Sequence, residues 1–155
     1  AAAVNFNAPG QVVIAGDAAA IARAIDICKK AGAKRAVELP VSAPFHTSLM
    51  RPAADNLAKL VEQKVFSAPQ IPVLHNVHAK PETDPVVIKR LMLEQIYQPV
   101  LWVDCVNELS SRGAKILIEC GPGRVLNGLS KRIDRSLTSL ATDDVASLEN
   151  ALTSV

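Results

Sequence analysis

The run Lys115-Ile116-Leu117-Ile118-Glu119 constrains the fold more than any other stretch of the chain. A short continuous apolar run ended by Gly121-Pro122-Gly123 reads as a buried strand entering a tight turn. The turn opens a helical stripe of Leu126, Leu129 and Ile133, and Leu137-Thr138-Ser139-Leu140-Ala141 returns as another strand. Strand, crossover helix and strand in that order make the two strands parallel neighbours. A helix over 144–152 follows, and the chain is placed in the α/β class.

The same alternation extends upstream. Helical spacing covers 52–63, with Leu57, Leu60 and Val61 on one stripe. A strand is expected over 73–77. A helix over 85–97 should turn Ile88, Leu91, Met92 and Ile96 inward, and another should occupy 100–112, so the sheet is expected to be largely parallel. The N-terminal residues follow a different order. Val4-Asn5-Phe6 and Gln11-Val12-Val13-Ile14-Ala15 read as strands joined by Asn7-Ala8-Pro9-Gly10. Asp17 caps a helix that Gly32 ends, and Arg35-Ala36-Val37-Glu38-Leu39 reads as a third strand. Strand, strand, helix, strand is what remains of a ferredoxin-like β-α-β-β-α-β unit without its first strand and helix. Residues 1–40 are therefore read as the C-terminal part of a ferredoxin-like subdomain, to which residues preceding Ala1 are expected to belong, and 41–155 as an α/β region.

Composition narrows the function. Hydrophobic residues are 49% and charged residues 21% of the 155, which fits a folded domain and not a disordered one. A net charge of +2 without a long basic run, and only 3% aromatic residues, argue against a nucleic-acid partner. No apolar run approaches the ~20 residues of a membrane span, and Ala1-Ala2-Ala3-Val4 lacks the features of a signal peptide. Cys28, Cys105 and Cys120 are odd in number and far apart, without redox or metal spacing. They are expected to be small buried groups in a reducing cytoplasm. His75 and His78 form an isolated H-x-x-H without a suitable third ligand, so no metal is expected.

His46 is the candidate for chemistry. It follows Pro44-Phe45 and precedes Thr47 and Ser48, which can cap the helix that Pro52 enters in its first turn. A histidine at such a junction can act as a general base, or it can be a core residue bonded to backbone. A base needs an orienting partner. The carbonyl of Gln95 would ordinarily accept from the N–H of residue 99, but residue 99 is proline and has none. That oxygen is left open at the negative end of a helix, either for a histidine N–H or for water. Asn5, Asn7 and Gln11 surround a turn that they either satisfy or use to line a polar ligand. Lys34 and Arg35 form a basic pair at a helix end. No G-x-S-x-G is present, and no cysteine has an activating neighbour, so a nucleophile is not found.

The segments 4–16, 31–35, 40–46 and 119–126 (Val-Asn-Phe-Asn-Ala-Pro-Gly-Gln-Val-Val-Ile-Ala-Gly, Ala-Gly-Ala-Lys-Arg, Pro-Val-Ser-Ala-Pro-Phe-His and Glu-Cys-Gly-Pro-Gly-Arg-Val-Leu) occur in an order and spacing that closely resemble the C-terminal half of the bacterial malonyl-CoA:acyl carrier protein transacylase family. The resemblance covers nearly the whole chain. It implies an α/β-hydrolase-like acyltransferase fold and ping-pong transfer of malonyl from coenzyme A to the acyl carrier protein thiol. It makes His46 the catalytic histidine and the Gln95 carbonyl its orienting group. It places Asn5, Asn7 and Gln11 beside the pantetheine entrance, Lys34 and Arg35 near the coenzyme A phosphates, and Phe45 in the acyl pocket. It implies no cofactor, malonyl-CoA being a substrate. The partners implied are the acyl carrier protein and the missing N-terminal half of the enzyme, giving a cytoplasmic monomer when complete. The family's serine elbow, carboxylate-binding arginine and N-terminal oxyanion loop are expected upstream of Ala1. Two rivals remain: a polyketide-type acyltransferase domain with another extender unit, which the chain end at Val155 disfavours, and a non-catalytic carrier-protein-binding module.

Overall fold

The computed structural model describes all 155 residues. An antiparallel hairpin of β1 (Ala2–Ala8) and β2 (Gln11–Ala15) leads into α1 (Ala18–Lys30). Gly10 holds φ +73° in the two-residue turn, where Pro9 supplies the preceding fixed angle. Asp17 caps α1 by accepting from the Ala19 and Ala20 N–H groups, and Gly32 leaves it with φ +89°. Ile21, Ile25 and Cys28 lie on the half-buried side of α1, as their spacing predicts.

The third N-terminal strand does not form. Residues 35–41 run as irregular chain, with Val37, Leu39 and Val41 exposed. β-branched residues make a strand only where a partner strand lies beside them, and none lies beside 35–41, although the outer edge of β2 is unpaired. One side of β1 is bonded to β2, and the other is taken by Val100. The Phe6 N–H donates to Val100 O at 2.9 Å, and the Val100 N–H donates to Val4 O at 2.8 Å. The hairpin is thereby fastened to residue 100, far along the chain.

After the loop, a short 3₁₀ turn at Ser48–Met50 runs into α2 (Arg51–Val61), which carries Pro in its first turn. Ala54 and Val61 are buried, whereas Leu60 points to solvent. The strand expected over 73–77 shrinks to β3 (Leu74–His75), which pairs antiparallel with an unforeseen β4 (Lys80–Pro81). Ala79, with φ +55°, makes the turn between them. Asp84 caps α3 (Pro85–Glu94), and α4 (Trp102–Ser111) follows. The β5 (Ile116–Glu119), α5 (Val125–Ile133) and β6 (Thr138–Ala141) unit is parallel in register, and α6 (Val145–Thr153) lies beyond it. Leu129 on α5 is buried, but Leu126 is not.

Parallel pairing between strands is confined to β5 and β6, with one isolated parallel bridge between Asn5 and Val100; the other two sheets are antiparallel hairpins. The core sits where Val4 of β1, Leu91 of α3, Val106 of α4 and Leu129 of α5 are withdrawn from water. No helix is long and apolar enough to cross a membrane.

Candidate functional site

His46 sits in the loop before the 3₁₀ turn, with φ +62°, in the left-handed region that a side chain with a Cβ rarely occupies. Its position is fixed by the end of α3. The helix stops at Glu94, whose carbonyl accepts from both Tyr97 N–H at 3.0 Å and Gln98 N–H at 2.8 Å. Pro99 has no N–H to give to Gln95, and the Val100 N–H is committed to Val4. The carbonyls of Gln95 and Ile96 are therefore open, and both are taken by one residue. His46 Nδ1 lies 2.8 Å from Gln95 O, and the His46 main-chain N–H donates to Ile96 O at 3.2 Å.

This geometry assigns the tautomer. A carbonyl oxygen can only accept, so Nδ1 carries the proton and donates it. In the neutral ring Nε2 then holds the free lone pair. Arg51, at the start of α2, lies 4.3 Å from the Tyr97 ring centroid and packs that helix against the same turn. The Gln95 side chain is not the contact; its main-chain oxygen is.

The other candidates are distributed unevenly. Asn5 pairs with Val13 and bridges to Val100, so it lies beside the segment that orients His46. Asn7 is half-buried near the end of β1. Gln11 Oε1 accepts from an Arg132 guanidinium N–H, a link to α5 across a sequence separation with no local signal. Lys34 and Arg35 are exposed beyond α1 and make no ion pair. Phe45 is 46% exposed beside His46.

At the end of β5, Glu119 accepts from the Leu126 N–H at 3.1 Å and the Asn127 N–H at 2.7 Å, closing the Gly121-Pro122-Gly123 turn on α5. Arg124 joins that turn to α6 through Asp143 at 2.8 Å and Asp144 at 2.7 Å.

The cysteines correct one expectation. Cys105 is buried, but Cys28 is only half-buried and Cys120 is exposed. Burial pushes the Cys105 thiol up to about 11, so it is not a thiolate at neutral pH. His75 is held below the ordinary histidine range, first by burial and then by the neighbouring His78. No group of three or more His, Cys, Asp or Glu side chains is arranged to hold a metal.

Fold and site together define a partial α/β domain whose distinctive feature is a histidine oriented by a helix-end carbonyl. No family model matches the chain. Individual proteins do. The Salmonella typhimurium malonyl CoA-acyl carrier protein transacylase is 51% identical over 150 residues, which are 97% of this chain and 48% of that protein. The crystal structure of an acyl carrier protein S-malonyltransferase from Vibrio cholerae superposes with a TM-score of 0.93 at 55% identity, covering 97% of this chain and 49% of that one. A malonyl-transacylase in complex with its type II PKS acyl-carrier protein gives 0.96 at 49% identity, covering 99% of this chain and 50% of that one. The chain is homologous to malonyl CoA-acyl carrier protein transacylases along nearly its whole length, and it spans about half the length of the curated relatives it matches.

Proposed function

We propose that this chain carries the histidine half of a malonyl-CoA:acyl carrier protein transacylase, with the nucleophilic serine on the other half. The observation that supports this most directly is the Nδ1–H···O contact between His46 and Gln95, which frees Nε2 as a base. In the proposed reaction Nε2 takes the serine proton as the serine oxygen attacks the malonyl thioester. The imidazolium, held by the Gln95 carbonyl, returns that proton to the departing coenzyme A sulfur. The carrier-protein thiol then gives its proton to Nε2 and attacks the malonyl ester. Collapse transfers malonyl to sulfur, and the serine oxygen recovers the proton from the ring. The chemistry requires no cofactor.

Within this reading Asn5, Asn7 and Gln11 border the pantetheine entrance. The exposed Lys34 and Arg35 attract the coenzyme A phosphates and an acidic carrier protein. The assembled enzyme is proposed to act as a cytoplasmic monomer. The test is to incubate the full-length protein with labelled malonyl-CoA, with and without carrier protein. Label should appear on the enzyme first and move to the carrier when it is added; no label on either would refute the reading.

Two finer expectations follow from the site. Pro99→Ala supplies an N–H that competes for the Gln95 carbonyl, so transfer should slow by about tenfold through loosened ring geometry. A steady-state rate equal to wild type would remove Pro99 from the argument. Phe45→Ser should widen the acyl pocket and raise the methylmalonyl rate relative to malonyl. One methyl group is worth ~1–3 kcal/mol, so the shift should be partial. Competition between the two thioesters measures it, and an unmoved ratio would place Phe45 outside the pocket.

A further inference from the structure

We propose that Thr47 is the positioning residue that holds His46 in its working orientation, an inference that rests on the reading of His46 as the base. His46 sits at φ +62°, so its surroundings must over-determine that conformation. The neighbouring Thr47 is 6% exposed, the most buried residue of the loop. Its Oγ1 donates to Pro44 O at 2.7 Å and accepts from Leu49 N–H at 3.3 Å. One hydroxyl thus ties the chain before His46 to the chain after it, and the histidine lies inside the loop so closed.

A residue serving only as a helix cap would use its oxygen forward. Here the shorter bond runs backward, to a carbonyl that no helix needs. The Ile96 carbonyl fixes where the His46 amide lies, and the Gln95 carbonyl accepts the ring only if the ring leaves the backbone in the right direction. That direction is set by the loop torsions, and Thr47 itself is extended at φ −114°, ψ 165°. Thr47 never needs to touch substrate. It acts by keeping the Nδ1–carbonyl contact made before substrate arrives.

The experiment compares Thr47→Val, Thr47→Ser and His46→Ala in the full-length enzyme, measuring malonyl transfer to the carrier protein with both substrates varied, alongside thermal midpoints. Valine keeps the shape and removes both hydrogen bonds. It should lower kcat by ~10–100-fold and leave KM for malonyl-CoA within about twofold, because geometry is lost and binding is not. Serine keeps the hydroxyl and should recover kcat to within about threefold. Wild-type kcat in Thr47→Val while His46→Ala is inactive overturns the proposal. Equal losses in the valine and serine variants also overturn it, since methyl packing would then be the cause. Wild-type activity in His46→Ala refutes the underlying assignment of the base instead. If Thr47→Val does not fold, Thr47→Cys replaces it. A kcat between the serine variant and the inactive enzyme is then expected, and wild-type kcat overturns the proposal.

Discussion

His46→Ala in the full-length enzyme is expected to slow malonyl transfer by ~10²–10⁴-fold, the usual worth of a positioned general base. Under the proposed mechanism both half-reactions should suffer, because there the same Nε2 activates the serine and later the carrier thiol. The cost in stability should be much smaller. The substitution removes one ring hydrogen bond to Gln95 O, worth ~0.5–1.5 kcal/mol, in a residue that is only half-buried. Alanine also tolerates the left-handed backbone less well than histidine, which adds modestly to the loss. The melting temperature should therefore fall by a few degrees at most. Rate and melting temperature measured on the same preparation separate the two readings of this residue. A wild-type rate with a large drop in melting temperature would make His46 a structural histidine and end the proposed mechanism.

The parts of this arrangement that were legible in the sequence are those that depend on covalent facts or on short range. Pro99 has no N–H in any fold, so an open carbonyl at Gln95 could be anticipated, and that oxygen does accept the His46 ring. Asp17 caps the helix that begins beside it, where local chemistry suffices. The parallel β5–α5–β6 unit declares itself within a few dozen residues. What depends on distant partners was hidden. Residues 35–39 have strand-forming side chains, but no feature of that segment reveals that no strand of this chain lies beside it. The short β3–β4 hairpin was missed because His75-Asn76-Val77-His78-Ala79 carries no turn glycine, and the chain turns through Ala79 at φ +55° instead. The Gln11–Arg132 link joins residues on opposite parts of the chain. The double role of Thr47 was half visible: a cap was expected, although Thr47 caps the 3₁₀ turn and α2 itself starts at Met50 without a side-chain cap, and the bond back to Pro44 was not foreseen.

The chain by itself is expected to have no transacylase activity and to be poorly soluble. The chemical reason is that a base without a nucleophile forms no acyl-enzyme. No hydroxyl or thiol of the chain is hydrogen-bonded to His46 Nε2, and the buried Cys105 thiol stays protonated at neutral pH. The structural reason is surface. The chain exposes 10150 Å², whereas a compact monomer of its mass exposes roughly 7,500 Å², so about 2,600 Å² is in excess. That excess on one partner is of the order seen in obligate interfaces, which bury about 2,000–5,000 Å² over both. Only 15 of 155 residues are buried, a thin core for this length, and Val41, Val65 and Ile71 stand in water. β5 has only one paired neighbour, β6, so one of its edges is open to a further strand. Expressed alone, the chain should bind a hydrophobic dye strongly and sediment as aggregates. Co-expression with the other half of the enzyme, as a separate chain or fused, should abolish the dye signal and permit malonyl loading. Intact-mass analysis after exposure to malonyl-CoA reads the loading directly. A dispersed chain that ignores the dye would show that the exposed face is self-sufficient. A stable malonyl adduct on the isolated chain would reveal a nucleophile within it and overturn the division of labour proposed for the two halves.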